Sequence, residues 1–418
     1  MRDLLPTEAS HMTLVEETFK STLASYGYDE IRLPTMEWTV LFQRGVGEDT
    51  DAVGKEMYTF EDSSGESISL RPEGTASCVR AAISNTMLRG DRPRLWYTGN
   101  MFRHEQPQKG RYREFMQVGA EVFGYTGPDI DVELIQICED VWRKLGISDR
   151  IDLQINTLGN LESRLAFRNA LVDFLVPLKG TLDPDSVRRL DTNPLRILDS
   201  KSEETQNLLQ NAPRLTDYLD EPSTKYFEEL RRILSEAGVS YSVKERMVRG
   251  LDYYSHAVFE WHSDDLGAQS QVGGGGRYDG LVERLGGSAC PASGFAVGID
   301  RIALVRDAAG KSADHRSCDV YVISLDSSGD TYVNKISRIL REQADLRVRK
   351  HHGGGRVKNR FRDADRSGAL WALVVGEEEM AAQTITLKPL RTDEPQITIA
   401  TEAMIDFFND KLKKDLAN

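Results

Sequence analysis

The sequence predicts an α+β domain built on an antiparallel sheet, interrupted by a helical insertion and followed by a smaller α/β domain. Three observations predict it. Strand-like segments bounded by turn signals dominate residues 1–158 and return over 239–306. Helical periodicity takes over between 159 and 238. Beyond a polar linker at 307–317, strand and helix alternate through 318–418, the pattern of an α/β layer. A length of 418 residues is too great for one small core, and 39% hydrophobic residues are enough to build several.

In chain order, Met12, Val15, Phe19 and Leu23 recur at helical spacing and predict a first helix over Ser10–Tyr26. Glu30–Pro34 is extended. Met57–Phe60 and Ile68–Arg71 form a hairpin around Ser63-Ser64-Gly65. Gly74–Asn85 is helical, Arg94–Phe102 and Phe115–Phe123 are strands, and Glu133–Leu145 is a helix closing on Gly146. In the insertion, Asp183-Pro184 and Asn193-Pro194 mark turns between helices. Strands follow at Tyr241–Val248, Ala257–His262 and Gln269–Val272, and a helix over Gly294–Arg306. The last domain reads strand Val320–Ser324, helix Thr331–Glu342, strand Leu346–Arg349, helix Gly355–Asp365, strand Trp371–Val375.

The formal net charge is -13, which excludes a coat of bulk positive charge for nucleic acid. The charge is unevenly distributed. Residues 318–418 hold 16 basic and 16 acidic side chains, so the whole -13 belongs to residues 1–317. Within the neutral tail, Lys335–Arg362 carries ten basic residues against Glu342 and Asp345. Cys78, Cys138, Cys290 and Cys318 form no CxxC pair, so free thiols in a reducing cytosol are expected and a zinc knuckle is not. No apolar run approaches the ~18 residues of a membrane helix, and the first residues do not read as a secretory signal. A cytoplasmic location is the expectation.

Three arginines stand at the ends of elements: Arg103 after a strand, Arg249 before Gly250-Leu251-Asp252-Tyr253-Tyr254, and Arg301 early in a helix. Each alone reads as a surface ion pair. Together, in separate loops of an acidic domain, they predict a clamp for a polyphosphate, because the guanidinium fork matches phosphate oxygens. The run Gly273–Gly276 lacks the GxxxxGK[ST] phosphate-loop pattern and reads as a strand with a substrate lying close against it.

These segments, taken in order, resemble the histidyl-tRNA synthetase family of class II aminoacyl-tRNA synthetases over nearly the whole chain. Arg2-Asp3-Leu4-Leu5-Pro6 is similar to the family's opening, and Tyr26-Gly27-Tyr28 through Pro34 to class motif 1. Arg71-Pro72-Glu73-Gly74-Thr75 resembles the amino-acid-binding segment. Phe102-Arg103-His104-Glu105 through Glu121 resembles motif 2, and Gly294 to Arg301 resembles motif 3. Arg249–Tyr254 and Gly274–Leu281 resemble the two stretches that narrow the class to histidine.

The resemblance implies ATP, as its Mg2+ complex, L-histidine and tRNA(His) as substrates, a histidyl-adenylate intermediate and a homodimer. From the residues themselves, with His351 and His352 adjacent and no third ligand near, no zinc is expected. The resemblance also implies that Arg103 and Glu105 bind ATP, that Arg301 holds the γ-phosphate end, and that Arg249 neutralises charge at the α-phosphate. It implies that Glu73 pairs the substrate ammonium, aided by Gly74, Thr75 and Gln117. Glu121 and Tyr254 would bond the imidazole, with Tyr253 and Tyr278 lining it. Gln117, Gly119 and Glu121 alternate onto one strand face, and Gly119 would leave room for the ligand. His104 would point to the opposite face from Arg103. Gln108, Lys109, Arg111 and Arg113 would contact the acceptor end of tRNA. Arg356 and Lys358, in a segment similar to the family's anticodon domain, would contact the anticodon arm. Regulatory relatives of ATP phosphoribosyltransferase share this core but generally lack the C-terminal domain that this chain carries.

Overall fold

The fold is that of a computed structural model, which describes residues 2–48, 50–106, 108–311, 317–326, 329–353 and 355–415. The chain forms two compact units, residues 1–312 and 313–418.

The first unit contributes β1 (Asp29–Glu30), β2 (Met36–Trp38), β3 (Thr59–Glu61), β4 (Ser67–Leu70), β5 (Arg94–Phe102), β6 (Glu114–Phe123), β7 (Asp152–Thr157), β8 (Ser242–Val243), β9 (Ser255–His262), β10 (Gln271–Arg277) and β11 (Ala292–Gly298). Eight of them make one sheet in the order β1-β5-β6-β11-β10-β9-β7-β8. The inner pairings are antiparallel; only the short edge strands β1 and β8 pair parallel. A small antiparallel sheet, β2-β4-β3, stands apart. Period-two alternation sorts the sheet's faces. On β6, Val118, Ala120 and Val122 join a core with Phe19 and Leu23 of helix Pro6–Ser25 and with Leu134, Ile137 and Val141 of helix Asp129–Leu145. Gln117, Gly119 and Glu121 take the other face. Helix Asp129–Leu145 ends as expected at Gly146, which adopts φ +69.

The segment after β7 is helical throughout, from Leu161–Leu175 to Glu221–Glu236, with short 3-10 turns between. Asn160, Asp183, Ser202 and Asp220 cap four of its helices by accepting backbone N–H groups.

Two expectations are corrected. Tyr241–Val248 is strand only at Ser242–Val243, because a turn from Lys244 to Met247 and a bond from Asn156 Nδ2 to the Met247 carbonyl (2.9 Å) take the chain off the edge. Gly294–Arg306 is not one helix. Ala292–Gly298 is a central strand, whose Phe295 and Val297 alternate into the core, and the helix runs from Ile299 to Ala308. The proposed linker begins inside that helix, and its residues 312–316 lie outside the described residues.

The second unit is a five-stranded sheet of β12 (Val320–Ser324), β13 (Val348–Lys350), β14 (Trp371–Val375), β15 (Thr384–Pro389) and β16 (Ile397–Ala400), in the order β13-β12-β14-β15-β16. The first three pair parallel and the last two antiparallel. Arg356 and Lys358 are exposed at the start of helix Val357–Arg366, after Gly353 and Gly355, both at positive φ. Gly354 lies outside the described residues.

Candidate active site

One cross-strand row of side chains defines the site. Tyr97 pairs with Gly119, Gly119 with Ala296, Ala296 with Gly274, and Gly274 with Glu260. Large residues at the ends and small ones between make a trough across five strands. A cavity of about 810 Å3 opens over it, lined by the sheet, the Arg103–Phe115 loop, the Met247–Tyr254 segment and the insertion.

At one end lies Glu121, 1% exposed. Its carboxyl accepts hydrogen bonds from Thr75 Oγ1 (2.8 Å), from the Tyr97 hydroxyl (3.0 Å) and from the Tyr278 hydroxyl. Burial pushes it up to about 8, against the Tyr278 and Thr75 bonds, and the Glu73 charge adds to the rise. Gly294 must lack a side chain, since a Cβ there would meet Glu121 Oε2 at 1.8 Å. Glu73 closes the first turn of helix Thr75–Ser84, accepting N–H bonds from Thr75 (2.7 Å) and Ala76 (2.8 Å). Burial raises its carboxyl as well, opposed by those bonds. Gln117 Oε1 is buried with no partner among the described residues. Tyr253, Tyr254 and Tyr278 stack as an aromatic group, with centroids 4.6, 5.5 and 6.5 Å apart.

At the other end the cations gather. The Arg249 guanidinium pairs with Glu260 and lies 5.2 Å from the Tyr254 ring centre; its Nε is buried without a partner among the described residues. Burial opposes that charge, but Tyr254 and Glu260 outweigh it and hold the group firmly protonated. Glu260 also bonds His262 Nε2 at 2.9 Å. Arg301 donates to the carbonyls of Gly110 (3.0 Å), Gln269 (3.2 Å) and Gln271. Burial, then Arg111 nearby, lower it to about 10. Arg103 donates to the Pro72 carbonyl (2.9 Å), and Glu105 lies between Arg111 (3.0 Å) and Arg103 (4.0 Å). Arg301 and Arg103 thus rest on neutral carbonyls, the arrangement from which a phosphate oxygen would most readily draw them.

Of the residues singled out in the sequence, Glu73, Thr75, Arg103, Glu105, Arg111, Gln117, Arg249, Tyr253, Tyr254 and Arg301 line one cavity. Glu121, Tyr278 and Gly74 lie behind its wall, with Tyr278 and Glu121 bonded to each other. Gln108 and Lys109 are exposed at the tip of the loop, and Arg113 bonds the Glu105 carbonyl at 3.3 Å. Pro107 lies outside the described residues. His104 is off the cavity, its ring edge-on to Tyr58. Gly119 does not leave space for a ligand: a Cβ there would meet the Tyr97 ring at 2.4 Å, so the tyrosine fills that space. At Gly274 the close approach is by Arg249, whose Nη1 lies 2.6 Å from where a Cβ would stand.

Sequence reasoning missed Tyr97 and Glu260. The signal for Glu260 was a lone carboxylate between Phe259 and Trp261 in an apolar strand. It also missed the insertion's share of the wall, which includes Arg189 and Arg196, both paired with Asp51 (3.5 and 3.0 Å).

Comparison with known proteins agrees with this geometry. The family model described as histidyl-tRNA synthetase matches residues 1–302, and that of an anticodon binding domain matches residues 319–411. The apo histidyl-tRNA synthetase of S. aureus is 32% identical over 98% of both chains, with a TM-score of 0.80. At the level of fold alone, the chain is similar to the histidyl-tRNA synthetase of Nostoc sp. PCC 7120 (19% identity, 99% of this chain and 98% of that one, TM-score 0.73). A Bacillus halodurans C protein described as an ATP phosphoribosyltransferase regulatory subunit/histidyl-tRNA synthetase also shares the fold (22% identity, 90% and 96% coverage, TM-score 0.64). The chain belongs to the histidyl-tRNA synthetase family, a family of histidine–tRNA ligases.

Proposed function

We propose that the chain joins L-histidine to tRNA(His) in two steps within this cavity. A histidine carboxylate oxygen attacks the α-phosphorus of ATP; the bond to the β-phosphate breaks and pyrophosphate leaves with the electron pair. A ribose hydroxyl of the terminal adenosine then attacks the histidyl carbonyl, loses its proton, and AMP leaves. The observation that carries the reading is the trough itself. It joins a buried carboxyl ringed by hydroxyls to a cluster of guanidiniums, two of which, Arg103 and Arg301, donate to backbone carbonyls.

In this reading Arg249 and Arg103 stabilise charge developing at the α-phosphate and Arg301 holds the γ-phosphate end, with Glu105 keeping Arg103 and Arg111 in place. Mg2+ enters with the nucleotide, and the chemistry as written uses no zinc. Glu73 takes the substrate ammonium, and Gln117 Oε1, on the wall and without a partner among the described residues, takes a further donor. Tyr254 lines the imidazole, and Glu121 serves it when one of its hydroxyl partners yields. The Gln108–Arg113 loop meets the acceptor end, while Arg356 and Lys358 meet the anticodon arm.

The domain reading (core at 1–158 and 239–306, insertion at 159–238, linker at 307–317, anticodon-binding domain at 318–418) belongs to the same proposal, as does a cytoplasmic location. No helix among the described residues is long and apolar enough to cross a membrane. A homodimer is supported by the apolar side chains left on and beside the small sheet, Met36, Trp38, Val40 and Phe60, each between 44% and 54% exposed. The test is charging of a tRNA(His) transcript with labelled histidine. Acid-precipitable label that depends on ATP is the expected result; no label with active tRNA would overturn the reading.

A further inference from the structure

The segment Arg249–Tyr254 carries three residues of the site, Arg249, Tyr253 and Tyr254, yet it belongs to no strand or helix of the sheet that it covers. On its core side the Asp252 N–H donates to the Val46 carbonyl at 3.2 Å. Gly47, at φ +104, lies so close that a Cβ there would stand 2.8 Å from Asp252 Oδ2. On its other side the contacts come from the helical insertion. Asn193 Nδ2 donates to Asp252 Oδ1 at 2.9 Å. Arg164, on helix Leu161–Leu175, donates from Nη1 to the Tyr254 carbonyl at 2.7 Å.

A guanidinium is an expensive group to desolvate for a carbonyl bond. Burial accordingly lowers Arg164, with the Asp252 charge opposing the fall. What it supplies is reach from a helix of the insertion to the backbone of Tyr254. Tyr254 in turn supports Arg249 on one side and packs against Tyr253 and Tyr278 on the other, and the Tyr278 hydroxyl bonds Glu121. Tyr254 itself lines the proposed histidine pocket, whereas Arg249 is held by Glu260 as well as by Tyr254, so a small shift of the Tyr254 backbone is felt most at the histidine end.

We infer that Arg164, with Asn193 as a second tie, is a positioning residue through which the insertion sets the place of Tyr254 and so the affinity for histidine. The inference rests on the proposed histidine site. The test is calorimetric binding of histidine and of ATP, separately, to the full chain and to Arg164→Met, Arg164→Lys and Asn193→Ala, with thermal unfolding alongside. Arg164→Met should weaken histidine binding about tenfold and ATP binding by less than about twofold. Arg164→Lys should recover histidine affinity to within about threefold of the parent, and Asn193→Ala should weaken histidine alone by about threefold. Equal losses for both ligands, or a lower folded fraction with both affinities unchanged, would overturn the inference. If Arg164→Met does not fold, the Asn193→Ala ratio decides by the same criterion. A parent chain that binds histidine but charges no tRNA would contradict the proposed function and leave the positioning test intact; a parent that binds no histidine would overturn both.

Discussion

The two ends of the cavity use the same sheet for opposite purposes. At the Glu121 end, hydrogen-bonding capacity is largely spent inside the protein, with three hydroxyls on one carboxyl and a tyrosine ring over Gly119. A ligand there must replace a good bond with an equally good one, the condition under which a site rejects near misses. At the Arg249–Arg301 end, guanidiniums rest on carbonyls and on Glu105 and Glu260, partners that a polyphosphate can rival or surpass. Under the proposed function, the difference assigns selectivity and rate to different residues of one trough. Recognition would then belong to the buried cluster around β6, and charge stabilisation to Arg103, Arg249 and the helix residue Arg301 at its other end.

Removing the Arg249 side chain tests that separation most severely. Arg249→Ala should lower pyrophosphate exchange by about 10²–10³-fold while changing histidine affinity by less than about threefold; a loss of affinity alone would merge the two ends. Glu121→Ala should act in the other direction. It leaves the Thr75, Tyr97 and Tyr278 hydroxyls without their acceptor, and urea unfolding should show a loss of about 3 kcal/mol together with loss of histidine binding.

A smaller effect separates the ends by pH. In the empty protein the Glu121 carboxyl is raised from 4.5 to about 8, so the folded state binds more protons than the unfolded one between those values. Its contribution to stability is full below 4.5 and is lost as pH rises through 8. Urea unfolding from pH 5 to 8 should therefore fall more steeply for the parent than for Glu121→Gln, by about 1 to 3 kcal/mol over the range. Parallel curves would mean an ionised Glu121. The smallest separation is by salt. Going from about 50 to about 200 mM should weaken tRNA binding by about tenfold or more and histidine binding by less than about twofold.

Much of this was legible in the residues. Strands Arg94–Phe102, Val320–Ser324 and Trp371–Val375 have the bounds that their apolar patterns gave, and the cavity gathers the three arginines. The resemblance to the family brought the histidine residues to attention, and composition alone would not have done so. The failures have physical causes. Ala292–Gly298 is rich in small residues, which carry little periodic signal, so in the sequence the strand merges with the helix that follows it. In the sequence Gly119 reads as space, because the tyrosine that fills it comes from a neighbouring strand, at a register that no local pattern encodes. Glu260, Arg164 and Asn193 escaped for the same reason: their partners are set by tertiary pairing.

The central claim is that one trough activates histidine at the expense of ATP before any tRNA is engaged. Exchange of labelled pyrophosphate into ATP, without tRNA, tests it most directly. The account predicts exchange that depends on histidine and on Mg2+. Histidine binding without any exchange would contradict it.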